Sequence, residues 1–133
     1  MSSVLIDSSV WIEYFRGNKE YLFITELIKA NSICTNDIIL TELLPSMIQK
    51  KEKNLVELMN SIIKYDIEII WNELQNLQLL NLRYGNNNVP VTDLIIAQNC
   101  LQNNLSIAAR DKHFKLMSEY IPIKIYDGAV RKV

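Results

Sequence analysis

Near its N-terminus the sequence reads Val4-Leu5-Ile6-Asp7-Ser8-Ser9-Val10-Trp11-Ile12. Residues 4–6 form a short apolar run with branched side chains, which favours a buried β-strand. An acidic residue follows at once, and the pattern after it fits a helix that begins near Ser8. A strand that turns directly into a helix is the repeating unit of α/β folds.

Short apolar runs recur along the chain and alternate with longer helical patterns. We predict four further strands, at residues 33–35, 67–70, 105–109 and 123–126. We predict helices at residues 21–30, 37–50, 53–64, 72–84 and 93–103, with Asn36 as the cap of the second. This alternation implies an α/β fold in which a parallel sheet of about five strands is covered by helices on both faces.

The composition is that of a single globular domain over residues 1–133. Hydrophobic residues make up 49% of the 133 positions, charged residues 22%, and the net charge is −1 at pH 7. No apolar run reaches the roughly 18 residues of a membrane span, and the first residues lack the pattern of a signal peptide. We therefore expect a cytoplasmic protein with no membrane partner, whose affinity for nucleic acid has to come from local basic patches.

The scarce residue types exclude several kinds of site. Cys34 and Cys100 form no metal-ligand pattern and are expected to be buried thiols. Three glycines are too few for a phosphate-binding loop or a dinucleotide fingerprint. His113 is the only histidine, which excludes two-histidine zinc sites and gives little support to imidazole-based catalysis. Carboxylates remain as the groups that can carry chemistry.

Four acidic residues are brought by the predicted topology to one edge of the sheet. In parallel sheets, sites lie beyond the carboxyl ends of the strands, where the following helices begin. Asp7 directly follows the first strand, and Asp111 follows the fourth strand after Arg110. Glu42 lies in the second turn of its helix, and Asp93 opens a helix after a polar loop.

Three of these acids also have a purely structural interpretation, and Glu42 does not. Asp7 would cap the first helix, and Asp111 would cap a short helix that extends to residue 117. Asp93 would be a favourable first-turn acid behind a Thr92 cap. Glu42 has apolar helical neighbours, so its carboxylate needs a partner.

Clustered carboxylates suit a hard divalent cation. Two carboxylates about 5 Å apart repel by roughly 3 kcal/mol at an effective dielectric constant near 20, which raises carboxyl pKa values. Mg²⁺ or Mn²⁺ removes this repulsion, because both ions accept oxygen ligands and retain water. The bound water can attack a phosphodiester without an imidazole or a thiol.

Four segments of the chain resemble the PIN domain family. They are residues 4–12, quoted above, and residues 36–44 (NDIILTELL), 90–97 (PVTDLIIA) and 105–114 (LSIAARDKHF). They occur in the order of the family and span nearly the whole chain. The length is also similar to that of VapC-type toxins.

The resemblance implies a three-layer α/β/α sandwich and a Mg²⁺- or Mn²⁺-dependent endoribonuclease. By position, Asp7, Glu42, Asp93 and Asp111 would be the catalytic, metal-binding quartet, with Asp7 and Asp93 as the direct ligands. Ser9 would support them by orienting a carboxylate or a water. The resemblance further implies a homodimer, and a cognate antitoxin protein that blocks the site.

Two departures from the family pattern affect the fourth segment. Ala109 stands where a hydroxyl residue often precedes the fourth acid, and His113 stands where a further Asp often follows. Asp111 is therefore the least supported member of the quartet. We expect His113 to be a surface imidazole rather than a phosphate contact.

Three basic residues lie close in sequence to the predicted acids. Arg110 and Lys112 flank Asp111, and Arg16 follows Asp7 at a short distance. We expect them to bind the phosphates of the RNA substrate.

Other functions remain as alternatives. The first is a catalytically silent PIN-fold module that acts through a protein partner; metal binding discriminates it from the nuclease. The second is an aspartyl phosphotransfer enzyme, which is disfavoured because Ser9 occupies the position where such phosphatases need a second Asp. A DNA nuclease of related architecture is the third, although the chain is short for DNA-threading elements.

Overall fold

The computed structural model describes residues 3–128. In this range the strands are β1 (Val4–Ile6), β2 (Ile33–Thr35), β3 (Ile63–Lys64), β4 (Ser106–Ala108) and β5 (Lys124–Ile125). The α-helices are α1 (Ser8–Phe15), α2 (Phe23–Lys29), α3 (Asp37–Gln49), α4 (Lys53–Ser61), α5 (Trp71–Arg83), α6 (Val91–Asn103) and α7 (Lys112–Met117). A 3₁₀ turn at Lys19–Tyr21 precedes α2.

The five strands form one parallel sheet in the order β3-β2-β1-β4-β5. The chain moves toward one edge from β1 to β3, then returns across the sheet and moves toward the other edge through β4 and β5. Because crossovers between parallel strands are right-handed, α1 to α4 cover one face and α5 to α7 the other. Contacts of α3 with α1 and α4, and of α6 with α5 and α7, agree with this arrangement. The predicted three-layer α/β/α architecture is confirmed.

The core lies on both faces of the central strands. Leu5 and Ile6 on β1 are fully buried, whereas β3 and β5 form the exposed edges. Large buried side chains from the helices fill the space against the sheet, among them Trp11, Ile24, Ile39, Met59, Ile96, Phe114 and Met117. Cys34 and Cys100 are buried free thiols, as expected, and burial raises both pKa values, that of Cys34 to about 12.

The third strand is not where the sequence predicted it. β3 occupies residues 63–64, inside the predicted helix 53–64, and residues 67–70 run without regular structure. The backbone of this segment forms hydrogen bonds with side-chain amides of α6 rather than with a neighbouring strand. Gln98 is paired with both backbone polar groups of Ile70, and Asn99 donates to the carbonyl of Asp66. A short apolar run has the sequence pattern of a strand, but the tertiary structure determines which groups form hydrogen bonds with its backbone.

The helix ends confirm one predicted cap and correct another. Asn36 caps α3 as predicted, because its Oδ1 accepts a hydrogen bond from Ile39 N at 3.0 Å. Helix α6 begins at Val91, with Pro90 at its cap position, so the proposed Thr92 cap is wrong. The helix predicted at residues 21–30 is observed as α2, which begins two residues later, and Tyr21 belongs to the preceding 3₁₀ turn. Among residues 3–128, every helix is too short or too polar to cross a membrane.

Candidate active site

An open cleft of about 390 Å³ lies beyond the carboxyl ends of the central strands. The chain leaves β1 toward one edge of the sheet and β4 toward the other, so the loops after these two strands diverge at this point. All four predicted acids line the cleft, and its full lining is Asp7, Ser8, Ser9, Glu42, Asp93, Arg110, Asp111 and Phe114. Residues from four separate parts of the sequence thus meet at the topological switch point.

Asp7 occupies the cap position of α1 but does not cap it with its side chain. Its backbone carbonyl accepts hydrogen bonds from Val10 N and Trp11 N at 3.0 and 3.1 Å. The carboxylate instead accepts a hydrogen bond from Ser9 Oγ at 2.6 Å, across one residue. The purely capping interpretation of the Asp7 side chain is therefore wrong, and this side chain is available to the cleft.

Glu42 reaches the cleft from the second turn of α3. Its side chain is exposed, and Oε1 accepts a hydrogen bond from Ser8 Oγ at 3.0 Å. The expected partner of this carboxylate is thus a hydroxyl group at the start of α1. Two adjacent serines donate hydrogen bonds to two different acids: Ser8 faces α3, whereas Ser9 faces Asp7 at the end of β1.

Asp93 lies in the first turn of α6, and its pKa departs further from the usual value than that of any other acid. Its pKa is raised from 3.8 to about 6, and burial is the largest cause. The negative charges of Asp111, Asp7 and Glu42 raise it as well, whereas His113 lowers it. A carboxylate whose charged form is penalised by both burial and like charges is electrostatically prepared for a cation.

Asp111 caps a helix, as its structural interpretation predicted. Its Oδ1 accepts a hydrogen bond from His113 N at 2.8 Å, and α7 runs from there to residue 117. The same carboxylate lines the cleft, with a ligand atom within 4.8 Å of one of Asp93. A cap hydrogen bond uses one lone pair of a carboxylate, so capping and cation binding are compatible here.

His113 is a member of the site that the sequence interpretation missed. Its side chain is 17% exposed, so it is not the surface imidazole that we expected. Ligand atoms of Asp93, Asp111 and His113 all lie within 4.8 Å of one another. The position of His113, two residues after the fourth acid, was the signal in the sequence that could have identified it.

The residues of this cleft fit a hard divalent cation. Carboxylate oxygens are the ligands that Mg²⁺ and Mn²⁺ prefer, and here they come from four segments of the chain. The raised pKa of Asp93 comes first from burial and then from the neighbouring negative charges, and a bound cation would offset both penalties.

The predicted basic residues are only partly gathered at the site. Arg110 lines the cleft, Lys112 lines a neighbouring pocket together with Arg110, and Arg16 lines a third pocket beside α3 that includes Glu42. Arg16 and Arg110 both pair with Glu13, at 3.0 and 3.3 Å. The hydrogen bond from Asn18, followed by these two charges, lowers the pKa of Glu13. Glu13 was not predicted, and it partly neutralises the expected basic rim.

Comparisons with known proteins agree with this fold. A family model described as PIN domain matches residues 4–120. A search of curated proteins found no match to this sequence. Several solved structures share the fold at low sequence identity.

Three of these structures serve as examples. VapBC2 from Rickettsia felis, bound to a DNA fragment from its promoter, aligns with a TM-score of 0.69 and 18% identity over 92% of this chain and 96% of that chain. DNA-bound VapBC from Salmonella typhimurium aligns with a TM-score of 0.68 and 20% identity, over 96% and 98%. A toxin–antitoxin complex from Klebsiella pneumoniae aligns with a TM-score of 0.61 and 17% identity, over 83% and 88%.

Proposed function

The chain belongs to the PIN domain family, and from this premise we propose that it is a metal-dependent endoribonuclease of the VapC toxin type. The observation that carries the proposal is the convergence of Asp7, Glu42, Asp93 and Asp111 on one cleft at the switch point of the sheet. A cluster of four acids in which one pKa is raised to about 6 is costly to maintain without a positively charged ligand.

Asp7, Glu42, Asp93 and Asp111 would hold Mg²⁺ or Mn²⁺ in this proposal. When bound, the ion supplies an acidified water and stabilises negative charge on the phosphate. The chain orients its own ligands: Ser9 Oγ holds Asp7, Ser8 Oγ holds Glu42, and the cap hydrogen bond holds Asp111. These contacts reduce the freedom of the carboxylates before the substrate arrives.

RNA is the proposed substrate, and its phosphates would be bound by Arg110, Lys112 and Arg16. Arg110 lies in the lining of the cleft itself, and Lys112 lies beside it in the neighbouring pocket. The chain carries a net charge of −1, so these local contacts have to supply the affinity for a polyanion. Action on RNA would take place in the cytoplasm.

A cognate antitoxin and a second copy of the chain are the proposed protein partners. The support is the likeness of the fold to VapBC and toxin–antitoxin complexes. Trp71, Leu79 and Leu82 are large apolar side chains on one side of α5, and each is more than 40% exposed. Apolar surface of this kind commonly marks a protein interface. Sedimentation of the purified chain would measure whether it is a dimer.

The test is RNA cleavage by purified, partner-free protein. Total bacterial RNA is incubated with Mg²⁺, with Mn²⁺ and with EDTA, beside Asp7→Asn and Asp93→Asn. We expect discrete cuts that need the cation and that fall about a hundredfold or more in both variants. Asp66→Asn is the matched control, because Asp66 is an exposed acid that does not line the cleft.

The other outcomes separate the alternatives. Cleavage that persists in EDTA would contradict the metal-dependent mechanism. The absence of both cuts and calorimetric heat on addition of metal would favour the silent interaction module. Equal loss of activity in Asp66→Asn would show that the substitutions act on folding rather than on the cleft.

A further inference from the structure

The imidazole of His113 faces the carboxylates of the cleft with one particular nitrogen. Its Nε2 lies 3.6 Å from Asp111 Oδ1, and the ligand atoms of Asp93, Asp111 and His113 lie within 4.8 Å of one another. Octahedral ligands about 2.1 Å from a cation are separated by about 3 Å at right angles and about 4.2 Å across the ion. The 3.6 Å separation of His113 Nε2 and Asp111 Oδ1 falls between these two values, as expected of two atoms that could share a coordination sphere.

The other ring nitrogen is held by Asn86, which is 3% exposed. Asn86 Nδ2 donates to the backbone carbonyl of His113 at 3.1 Å and to the hydroxyl of Tyr120 at 3.0 Å. A backbone carbonyl can only accept, so this contact fixes which end of the amide is nitrogen. Asn86 Oδ1 therefore faces His113 Nδ1, at 3.1 Å, and Nδ1 carries the hydrogen. The lone pair of the neutral imidazole is then on Nε2, on the side of the carboxylates.

Asn86 is itself held in place by a chain of hydrogen bonds that runs into α5. The Tyr120 hydroxyl donates to Asn81 Oδ1, Asn81 donates to Gln78 at 3.1 Å, and Gln78 donates to the carbonyl of Val89 at 2.8 Å. Every donor in this series meets an acceptor, so the direction of each bond is consistent. Tyr84 stacks on Tyr120 with ring centroids 4.5 Å apart. The polar loop at residues 84–90 thus fixes the tautomer and the orientation of the imidazole.

We propose that His113 Nε2 is a nitrogen ligand of the divalent cation, with Asn86 as its positioning residue. The inference rests on the proposed function in one respect only, which is that the cleft binds a cation. A ligating histidine usually donates its other N–H to a carbonyl, amide or carboxylate oxygen, which is the arrangement found here. The consequence is a site with mixed oxygen and nitrogen ligands, in which first-row transition ions such as Mn²⁺ bind more tightly than Mg²⁺.

The direct test uses the fact that the chain has a single histidine. Tag-free protein is loaded with Mn²⁺, and pulsed electron paramagnetic resonance records the coupling of the ion to ¹⁴N. We expect a nitrogen coupling of imidazole type in the wild-type protein and none in His113→Asp. Nitrogen-15 labelling of histidine gives an independent readout without any variant: the neutral imidazole should carry its hydrogen on Nδ1, and Mn²⁺ should broaden the Nε2 resonance most.

Affinities measured by calorimetry complete the test. His113→Asp replaces the nitrogen by an oxygen ligand, so we expect Mn²⁺ to bind about tenfold or more weakly relative to Mg²⁺ than in the wild type. Asn86→Leu leaves the imidazole in place but removes its orientation, and we expect about a tenfold loss of Mn²⁺ affinity. The nitrogen-15 spectrum of Asn86→Leu would also lose its preference for hydrogen on Nδ1, which a merely structural role of Asn86 would not produce.

Failure of this inference is distinguishable from failure of the proposed function. If Mn²⁺ binds and RNA is cut but no nitrogen coupling appears, His113 is not a ligand and the nuclease proposal is unaffected. If Mn²⁺ gives only the spectrum of the free ion, neither the cation site nor the ligand exists. An unchanged ratio of Mn²⁺ to Mg²⁺ affinity in His113→Asp would also overturn the inference.

Discussion

The burial of Asp93, together with the crowding of acids around it, predicts that removal of its charge stabilises the metal-free protein. The rise of the Asp93 pKa from 3.8 to about 6 corresponds to about 3 kcal/mol if taken at full strength. Asp93 is only half-buried, so solvent screening reduces this value to about 1–2 kcal/mol. The dipole of α6 favours a negative charge in the first turn, by about 0.3–1 kcal/mol, which is smaller than the penalty. We expect Asp93→Asn to raise the free energy of unfolding by about 1 kcal/mol at pH 7.5 in EDTA.

The pH dependence of this effect has a definite sign. The folded-state pKa of Asp93 lies above its unfolded value, so protonation favours the folded state. That contribution is fully present below pH 3.8 and is lost as the pH rises through about 6. The difference between Asp93→Asn and wild type should therefore be largest at pH 7.5 and disappear near pH 4.

Urea unfolding in EDTA at several pH values, together with thermal melts, measures the difference. The expected increase in Tm at pH 7.5 is about 3–5 °C for a chain of this length. Saturating Mg²⁺ should reverse the order, because binding at a hundred times Kd stabilises the wild type by about 2.7 kcal/mol while the variant has lost a ligand. Asp66→Asn, the exposed control, should remain within about 0.5 kcal/mol at every pH. If Asp93→Asn is less stable than wild type in EDTA at pH 7.5, the electrostatic argument for a cation site is refuted.

Three further substitutions test other contacts. Ser9→Ala removes the 2.6 Å hydrogen bond to the first acid and should lower Mg²⁺ affinity and the cleavage rate by about tenfold; unchanged values would mean that the hydroxyl has no orienting role. Asn36→Ala should cost about 2–3 kcal/mol in urea unfolding, since Asn36 caps α3 and also pairs with a buried amide, whereas the more exposed cap Asn18→Ala should cost less than about 1 kcal/mol. Equal costs at the two caps would contradict the burial argument. Glu13→Gln releases the two arginines that it pairs, so filter binding should show tighter RNA binding with a steeper salt dependence, and weaker binding would count against a phosphate role for those arginines.

The location of the four acids could be predicted from the sequence because the alternation of strands and helices implies a parallel sheet. In a parallel α/β sheet every strand ends at the same edge, so Asp7 and Asp111, which follow strands, have to lie there. The positions of Glu42 and Asp93 follow from the helices that begin at that edge. The hydrogen bonds that orient these acids, from Ser8 and Ser9, depend on side-chain rotamers and were only partly predictable.

Other features could not be obtained from local pattern. The segment at residues 67–70 has the composition of a strand, but Gln98 and Asn99 of α6 supply its backbone partners instead. The environment of His113 depends on Asn86, which lies 27 positions earlier in the chain. The orientation of that imidazole is fixed only when the buried amide of Asn86 contacts both the Tyr120 hydroxyl and the carbonyl of His113.

The amino-acid pattern was sufficient to predict the α/β class, the parallel sheet, the cap of α3 and the edge at which four acids gather. These properties follow from hydrophobic period, from short-range hydrogen bonding and from the single direction of parallel strands. The fold itself was needed to show that Glu13 pairs with Arg110 as well as with its helical neighbour Arg16, and that His113 faces Asp93 as well as Asp111. The Glu13–Arg110 and His113–Asp93 contacts join residues far apart in the chain, and their geometry depends on how helices pack on the sheet, which no local pattern records.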